Sequence, residues 1–296
     1  MAAFGLLNVN KPVGPTSHDV VDAVRRGTGE RKVGHGGTLD PLAGGVLVLA
    51  LGSATRLLEY LTASPKEYLA TLTLGLVTDT GDAEGEVIEQ QALPPDLRRE
   101  EVEAVLSRFR GPIEQVPPPY SALKVKGKAA HYRTRAGETL ELAPRQVLIE
   151  ELTLLDFAPP LLTVRVRCSA GTYIRSLARD IGAALGCGAM LSALTRTASG
   201  HFRLEDAVRW EALQNAFLDG SWRRYLLPAD VALEGTPRVL LNEEALGRVT
   251  HGQPVPAPEV ATGLARAYAP DGRFVAVLEG DPTRGMWLPR KVFMPN

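Results

Sequence analysis

Two cysteines, Cys168 and Cys187, are all that 296 residues contain. They cannot make a disulfide framework, and each is expected as a small buried apolar side chain in a reducing cytosol. Long hydrophobic runs are missing too. The best, residues 46–51, is far shorter than the roughly 20 residues that cross a bilayer, so no membrane association is expected. The opening MAAFGLLNVNKP has no basic n-region and no apolar core of a secretory signal. No spaced Cys/His cluster supplies the ligands of a metal site. Excess positive charge is also missing. With 33 Lys and Arg against 34 Asp and Glu the net charge is −1, which excludes a uniformly basic nucleic-acid binder. Any contact with nucleic acid must then rest on local basic patches.

What remains is an ordinary globular composition, 45% hydrophobic and 23% charged, long enough for one large domain and a small one. One stretch stands out: Gly34-His35-Gly36-Gly37-Thr38-Leu39-Asp40-Pro41-Leu42-Ala43-Gly44-Gly45. Its glycines tolerate positive φ and close backbone approach, and Pro41 biases Asp40 toward an extended backbone. The apolar run 46–51 that follows reads as a buried strand. A single carboxylate is thus placed on a tight loop in front of a core strand, as scaffolds present reactive groups. The loop is not a phosphate loop, because no Gly-Lys-Ser/Thr closes it. Position 39 is Leu where a dinucleotide fingerprint needs Gly. Two readings stay open on pattern alone: a glycine-rich turn in which Asp40 bonds its own backbone, which the pattern favours, and a nucleophilic carboxylate.

Elsewhere periodicity predicts elements. Residues 4–9 read as a strand, and 19–26 as a helix capped by Thr16 or Ser17 with Val20, Val21 and Val24 on one face. The stretch 66–75 alternates as a strand around Tyr68. Residues 78–85, TDTGDAEG, form an acidic turn without the bidentate twelfth-position Glu of a calcium loop. Residues 96–109 read as a packing helix, with Val102, Val105, Leu106 and Phe109 at helical spacing. From 115 to 137 there is no acidic residue, and Lys124, Lys126, Lys128, Arg133 and Arg135 interleave with Tyr120, His131 and Tyr132. A solvated loop and an RNA-binding patch both fit that pattern. Residues 161–168 alternate as a strand. Thr172 can cap a following helix whose apolar face is Ile174, Leu177, Ala178 and Ile181, leaving Tyr173 and Arg175 off the stripe. A composition shift at 233–237 marks a boundary, beyond which lie a short helix, 243–250, and strand-like runs 274–278 and 286–292.

The segment GHGGTLDPLAGGVLVLALGSATR resembles the signature of the TruB family of tRNA pseudouridine synthases. Three further stretches are similar to that family's motifs, in the same order: LNVNKPVGPTSHDVV, with Asn10 where Asp is usual; CSAGTYIRSLARDIG; and LTRTASGHF, with Thr195 replacing an Arg. The basic stretch PPPYSALKVKGKAAHYRTRAG resembles the family's RNA-clamping insertion, which gives Lys124, Lys126, Lys128 and Arg133 an RNA-binding role. The resemblance implies an α+β pseudouridine synthase catalytic domain with a mixed β-sheet over 1–233, its insertion at about 115–145, and a small β-rich PUA domain over 236–296. It also implies isomerisation of uridine 55 in the T arm of tRNA, with no cofactor, no obligate protein partner and a monomeric, cytoplasmic enzyme. Asp40 would be the nucleophile and Arg175 the partner that lowers its pKa and keeps it ionised. Tyr68 and Leu194 would sandwich the flipped base, Tyr173 would line the pocket, and His35 would wedge the T loop. A guide-RNA-dependent synthase of the same superfamily and a non-catalytic RNA-binding or tRNA-folding protein are the alternatives.

Overall fold

The computed structural model describes residues 3–118, 120, 124–125, 128–129, 142–257 and 261–293, with backbone alone at 124–125 and 128–129. Its first part is a ten-stranded mixed sheet. The strands of its main path are β1 Gly5–Lys11, β3 Ala43–Leu51, β4 Lys66–Leu74, β7 Gly111–Gln115, β10 Arg145–Ala158, β11 Leu161–Cys168, β12 Ala189–Ser199 and β14 Val208–Arg209. They run in the order β14-β1-β3-β12-β4-β11-β10-β7, with β2 Val33–His35 and β13 Phe202–Arg203 attached at the side. Two two-stranded sheets complete this part: β5 Leu76–Thr78 with β6 Val87–Gln90, and β8 Lys124–Val125 with β9 Lys128–Ala129.

The central strand explains the run at 46–51. On β3, Leu47, Leu49 and Leu51 enter one core and Val46, Val48 and Ala50 another. Both faces are covered, so the strand is apolar at every position. On β4 only one face is buried deeply, and Tyr68, Ala70, Leu72 and Leu74 alternate as the sequence predicts.

The first core packs α1, Ser17–Thr28, against the sheet through Val20, Val21 and Val24. A capping box of Thr16 and Asp19 starts that helix, so of the two expected caps it is Thr16 that serves. The next helix, α2, Leu58–Ala63, buries Leu61 in the second core instead. The first core also takes in α3, Arg99–Ser107, shorter than expected. Val102 and Leu106 are buried there, while Phe109 lies beyond the helix end and packs only partly. It also takes in α4, Ile174–Ala184, whose apolar stripe is the expected one. Thr172 does not cap α4. The N-cap position is Tyr173, and the Thr172 hydroxyl donates instead to the carbonyl of Ser169.

Past residue 237 a second sheet of five strands follows: β15 Arg238–Leu240, β16 Val255–Pro256, β17 Leu264–Tyr268, β18 Phe274–Asp281 and β19 Met286–Val292, in the order β15-β17-β18-β19-β16. The helix Glu243–Thr250, capped by Asn242, packs with it. Val277 and Phe293 of this second unit join the core formed by Leu6, Val48, Ala50 and Leu57 on the outer face of the large sheet. Both cysteines are buried and free, as expected. Among the described residues, no helix is long and apolar enough to cross a membrane.

Candidate active site

Asp40 sits on the loop between β2 and β3, and the surrounding chain holds that loop at several points. The Ser17 hydroxyl donates to Leu39 O at 2.9 Å and accepts from Leu39 N–H at 2.8 Å. Gly14 N–H donates to Pro41 O at 2.9 Å, and Ala43 N–H to Asp40 O at 3.0 Å. Gly45 has φ +98°, and a Cβ there would lie 2.3 Å from the carbonyl oxygen of Arg196, so only glycine fits.

The Asp40 carboxylate is turned toward Arg175 rather than toward its own turn. Arg175 Nε is 3.0 Å from Asp40 Oδ2 and 3.5 Å from Asp82 Oδ2. Its other two nitrogens donate to Thr80 O at 3.0 Å and Tyr120 O at 2.8 Å. Off the apolar stripe, Arg175 is nonetheless only 6% exposed. Asp82, in the acidic turn, is buried behind it. One of its oxygens accepts from Thr80 Oγ1 and Glu84 N–H, leaving the other for Arg175. Sequence reading passed over Asp82 because the turn carries three acids and only the fold shows which is buried. Among the described residues no acidic, His or Cys group forms a metal site.

At Asp40 burial and Arg175 oppose each other. The Asp40 pKa is raised from its ordinary value. Burial is the largest cause, Asp82 adds to it, and Arg175 pulls the other way without prevailing. The 40% of the Asp40 side chain that remains exposed lies in a cavity open to solvent. Arg175 therefore limits a rise that burial imposes.

That cavity, about 310 Å³, is lined by Asp40, Tyr68, Tyr173, Arg175, Leu194, Lys66 and Arg196 with neighbouring backbone. Tyr68 on β4 and Leu194 on β12 reach it from adjacent strands, since Tyr68 pairs with Arg196 and Ala70 with Leu194. Burial raises the Tyr68 phenol, so it stays neutral. Tyr173 is fixed through its backbone, as Gln115 accepts from its N–H at 2.7 Å and donates to its carbonyl at 3.0 Å. The Ser176 hydroxyl donates to Val116 O at 2.8 Å, so the start of the expected insertion is tied to α4.

Of the expected site residues, five meet at the cavity: Asp40, Arg175, Tyr68, Tyr173 and Leu194. His35 does not line it. It is half-buried at the loop entry, its Nδ1 accepting from Gly37 N–H at 3.3 Å. Burial and then Arg196 lower its pKa, so it is neutral at pH 7. Lys124 and Lys128 lie in the two-stranded sheet of β8 and β9, Lys124 opposite Ala129 and Lys128 opposite Val125. Lys126 and Arg133 lie outside the described residues. Lys66 and Arg196 are cavity cations that periodicity did not single out. Lys66 Nζ donates to Leu61, Thr62 and Ser64 carbonyls, and burial lowers its pKa to about 8.

The chain matches known proteins along most of its length. Residues 25–174 match the model of the TruB family pseudouridylate synthase N-terminal domain, and residues 175–234 that of the tRNA pseudouridylate synthase B C-terminal domain. The tRNA pseudouridine synthase B of Dehalococcoides mccartyi strain BAV1 is 43% identical over 291 residues, 98% of this chain and 96% of that one. That of Thiobacillus denitrificans is 45% identical over 294 residues, again 98% and 96%. Among solved structures, the crystal structure of a Cbf5-Nop10-Gar1 complex aligns with TM-score 0.76 and 31% identity, over 99% of this chain and 85% of that one.

Proposed function

The chain belongs to the TruB family of pseudouridylate synthases, and from that premise we propose that it isomerises uridine 55 in the T stem-loop of tRNA to pseudouridine. The observation that carries this reading is the Asp40–Arg175 contact, 3.0 Å long, at a cavity walled by Tyr68 and Leu194. A carboxylate at a cavity walled by an aromatic ring and a leucine suits covalent attack on a base swung out of its helix.

The atoms balance without a second substrate. The Asp40 carboxylate adds to an electrophilic carbon, C1′ of the ribose or C6 of the base. The N1–C1′ bond breaks, the uracil turns, C5 bonds to C1′, and the proton lost from C5 is matched by one gained at N1. Asp40 leaves unchanged. Tyr68 and Leu194 hold the ring flat as it turns, Tyr173 lines its edge, and Arg175 orients the attacking oxygen. His35, neutral and beside the loop entry, replaces stacking that the flipped base has lost. Unstacking a base costs a few kcal/mol, so such contacts are needed for flipping to proceed. The basic stretch that carries Lys124, Lys126, Lys128 and Arg133 clamps the stem. The five-stranded C-terminal unit, from 236, acts as a PUA-like RNA-binding domain beside a catalytic domain of 1–233.

Action on tRNA with neither guide RNA nor protein partner is supported by the names of the relatives. Relatives named for tRNA match at 43–45% identity over 96% of their own length. The Cbf5 chain of the multiprotein complex matches at 31% over 85%. The test is to incubate the purified chain alone with an unmodified tRNA transcript and map pseudouridine. Conversion confined to position 55 is expected. No conversion, or conversion only with guide RNA added, would contradict the proposal.

A further inference from the structure

Arg196 is 2% exposed, and among the described residues no carboxylate pairs with it. A buried cation without a counter-ion is costly unless its donors are satisfied. Here three backbone carbonyls accept from it, and the Tyr68 phenol is a further partner. Nε donates to Val46 O at 2.7 Å, Nη2 to Gly37 O at 3.0 Å and Nη1 to Thr38 O at 3.4 Å. Gly37 and Thr38 enter the loop that carries Asp40, and Val46 follows its exit. One guanidinium therefore ties the two ends of that loop together. The loop's glycines are shaped around it: Gly45, φ +98°, lies against the Arg196 backbone, and Gly37, φ +139°, has Arg196 Nη1 3.6 Å from where a Cβ would stand. Arg196 is rigid in turn, because β12 pairs with β3 on one side and with β4 on the other, setting Arg196 opposite both Gly45 and Tyr68.

We propose that Arg196 is a positioning residue that fixes the reach of Asp40 by clamping the two ends of its loop, an inference that rests on the pseudouridylate-synthase reading above. It acts through geometry. The charges that dominate Asp40's protonation are Arg175, Asp82 and Lys11, not Arg196. Neither a lysine ammonium nor a glutamine amide can span three carbonyls set around a planar fork. A loop displaced by about 1 Å is enough to cost about a hundredfold in rate.

The experiment compares wild type with Arg196→Lys and Arg196→Gln. It measures single-turnover rate on tRNA against pH, tRNA affinity, and amide hydrogen exchange of Leu39 and Ala43 without RNA. In at least one folded variant the rate should fall about 30- to 100-fold. The affinity should stay within about threefold, the pH midpoint should not move, and the two loop amides should exchange faster. The clamp is overturned by wild-type exchange at the loop, by a wild-type rate, by a rate loss that merely follows weakened tRNA affinity, or by a moved pH midpoint. Failure of both variants to fold would also overturn it, since the residue would then be holding the sheet and not the loop. If wild type itself converts no uridine, the proposed function fails, and the exchange measurement still decides the clamp.

Discussion

Arg175 spreads one guanidinium over two carboxylates and two carbonyls, and reaches Asp40 through Nε. Its influence on the reaction follows from signs. Burial raises the Asp40 pKa, and Arg175 is the strongest group lowering it. Arg175→Met removes that opposition, the pKa climbs further, and less carboxylate is ionised at a given pH. The rising limb of single-turnover rate against pH should therefore move to higher pH. Asp82 pushes the other way, since its charge raises the Asp40 pKa. Asp82→Asn should move the same limb to lower pH while reducing the plateau rate, because Arg175 loses an anchor. Opposite displacements are the expected outcome. Displacements of the same sign would mean that the three residues do not act as one electrostatic unit. Arg175→Lys keeps a charge but cannot serve four acceptors, so it should lose rate, about a hundredfold, with a smaller shift than Met.

At the scale of elements, the loop and the strands that grip it form one device. β3 and β12 run parallel with Gly45 opposite Arg196, and the missing Cβ lets the loop exit press against that neighbour. Gly45→Ala combines a strained positive φ with a collision, and should destabilise the protein by about 2–6 kcal/mol in denaturant unfolding. An unchanged midpoint would contradict the close packing. These elements differ in how readable they are. The alternation that marks Leu161–Cys168 and the spacing that marks Glu243–Thr250 are local, and both elements have the predicted bounds. Arg175 and Thr172 were misplaced by the same local reasoning. Helical periodicity put Arg175 off the buried stripe, yet a buried niche receives it, formed by a loop, a turn and the start of the insertion. Thr172 precedes a helix but is drawn to Ser169. Asp82 and Arg196 were passed over because their partners lie far away in sequence, and no window of neighbours reports them. The positions that a family motif marks, Asp40, Tyr68, Tyr173 and Leu194, were legible as residues, while their convergence on one cavity needed the sheet.

For the whole molecule, a net charge of −1 leaves tRNA binding to local patches. Replacing Lys124, Lys126 and Lys128 together with Ala should weaken tRNA binding. Every phosphate that is no longer neutralised should reduce the log–log salt slope by about 0.7–0.9 in magnitude. An unaltered slope would leave the stretch as a solvated loop.

The central claim is that a single carboxylate, Asp40, performs the chemistry while the rest of the molecule binds and orients the RNA. The direct measurement is pseudouridine formation by Asp40→Asn under single-turnover conditions, alongside its tRNA affinity and melting temperature. Asn keeps the shape and removes the charge. The account predicts a folded variant with near-wild-type tRNA affinity and no detectable pseudouridine. Substantial turnover by that variant would contradict it.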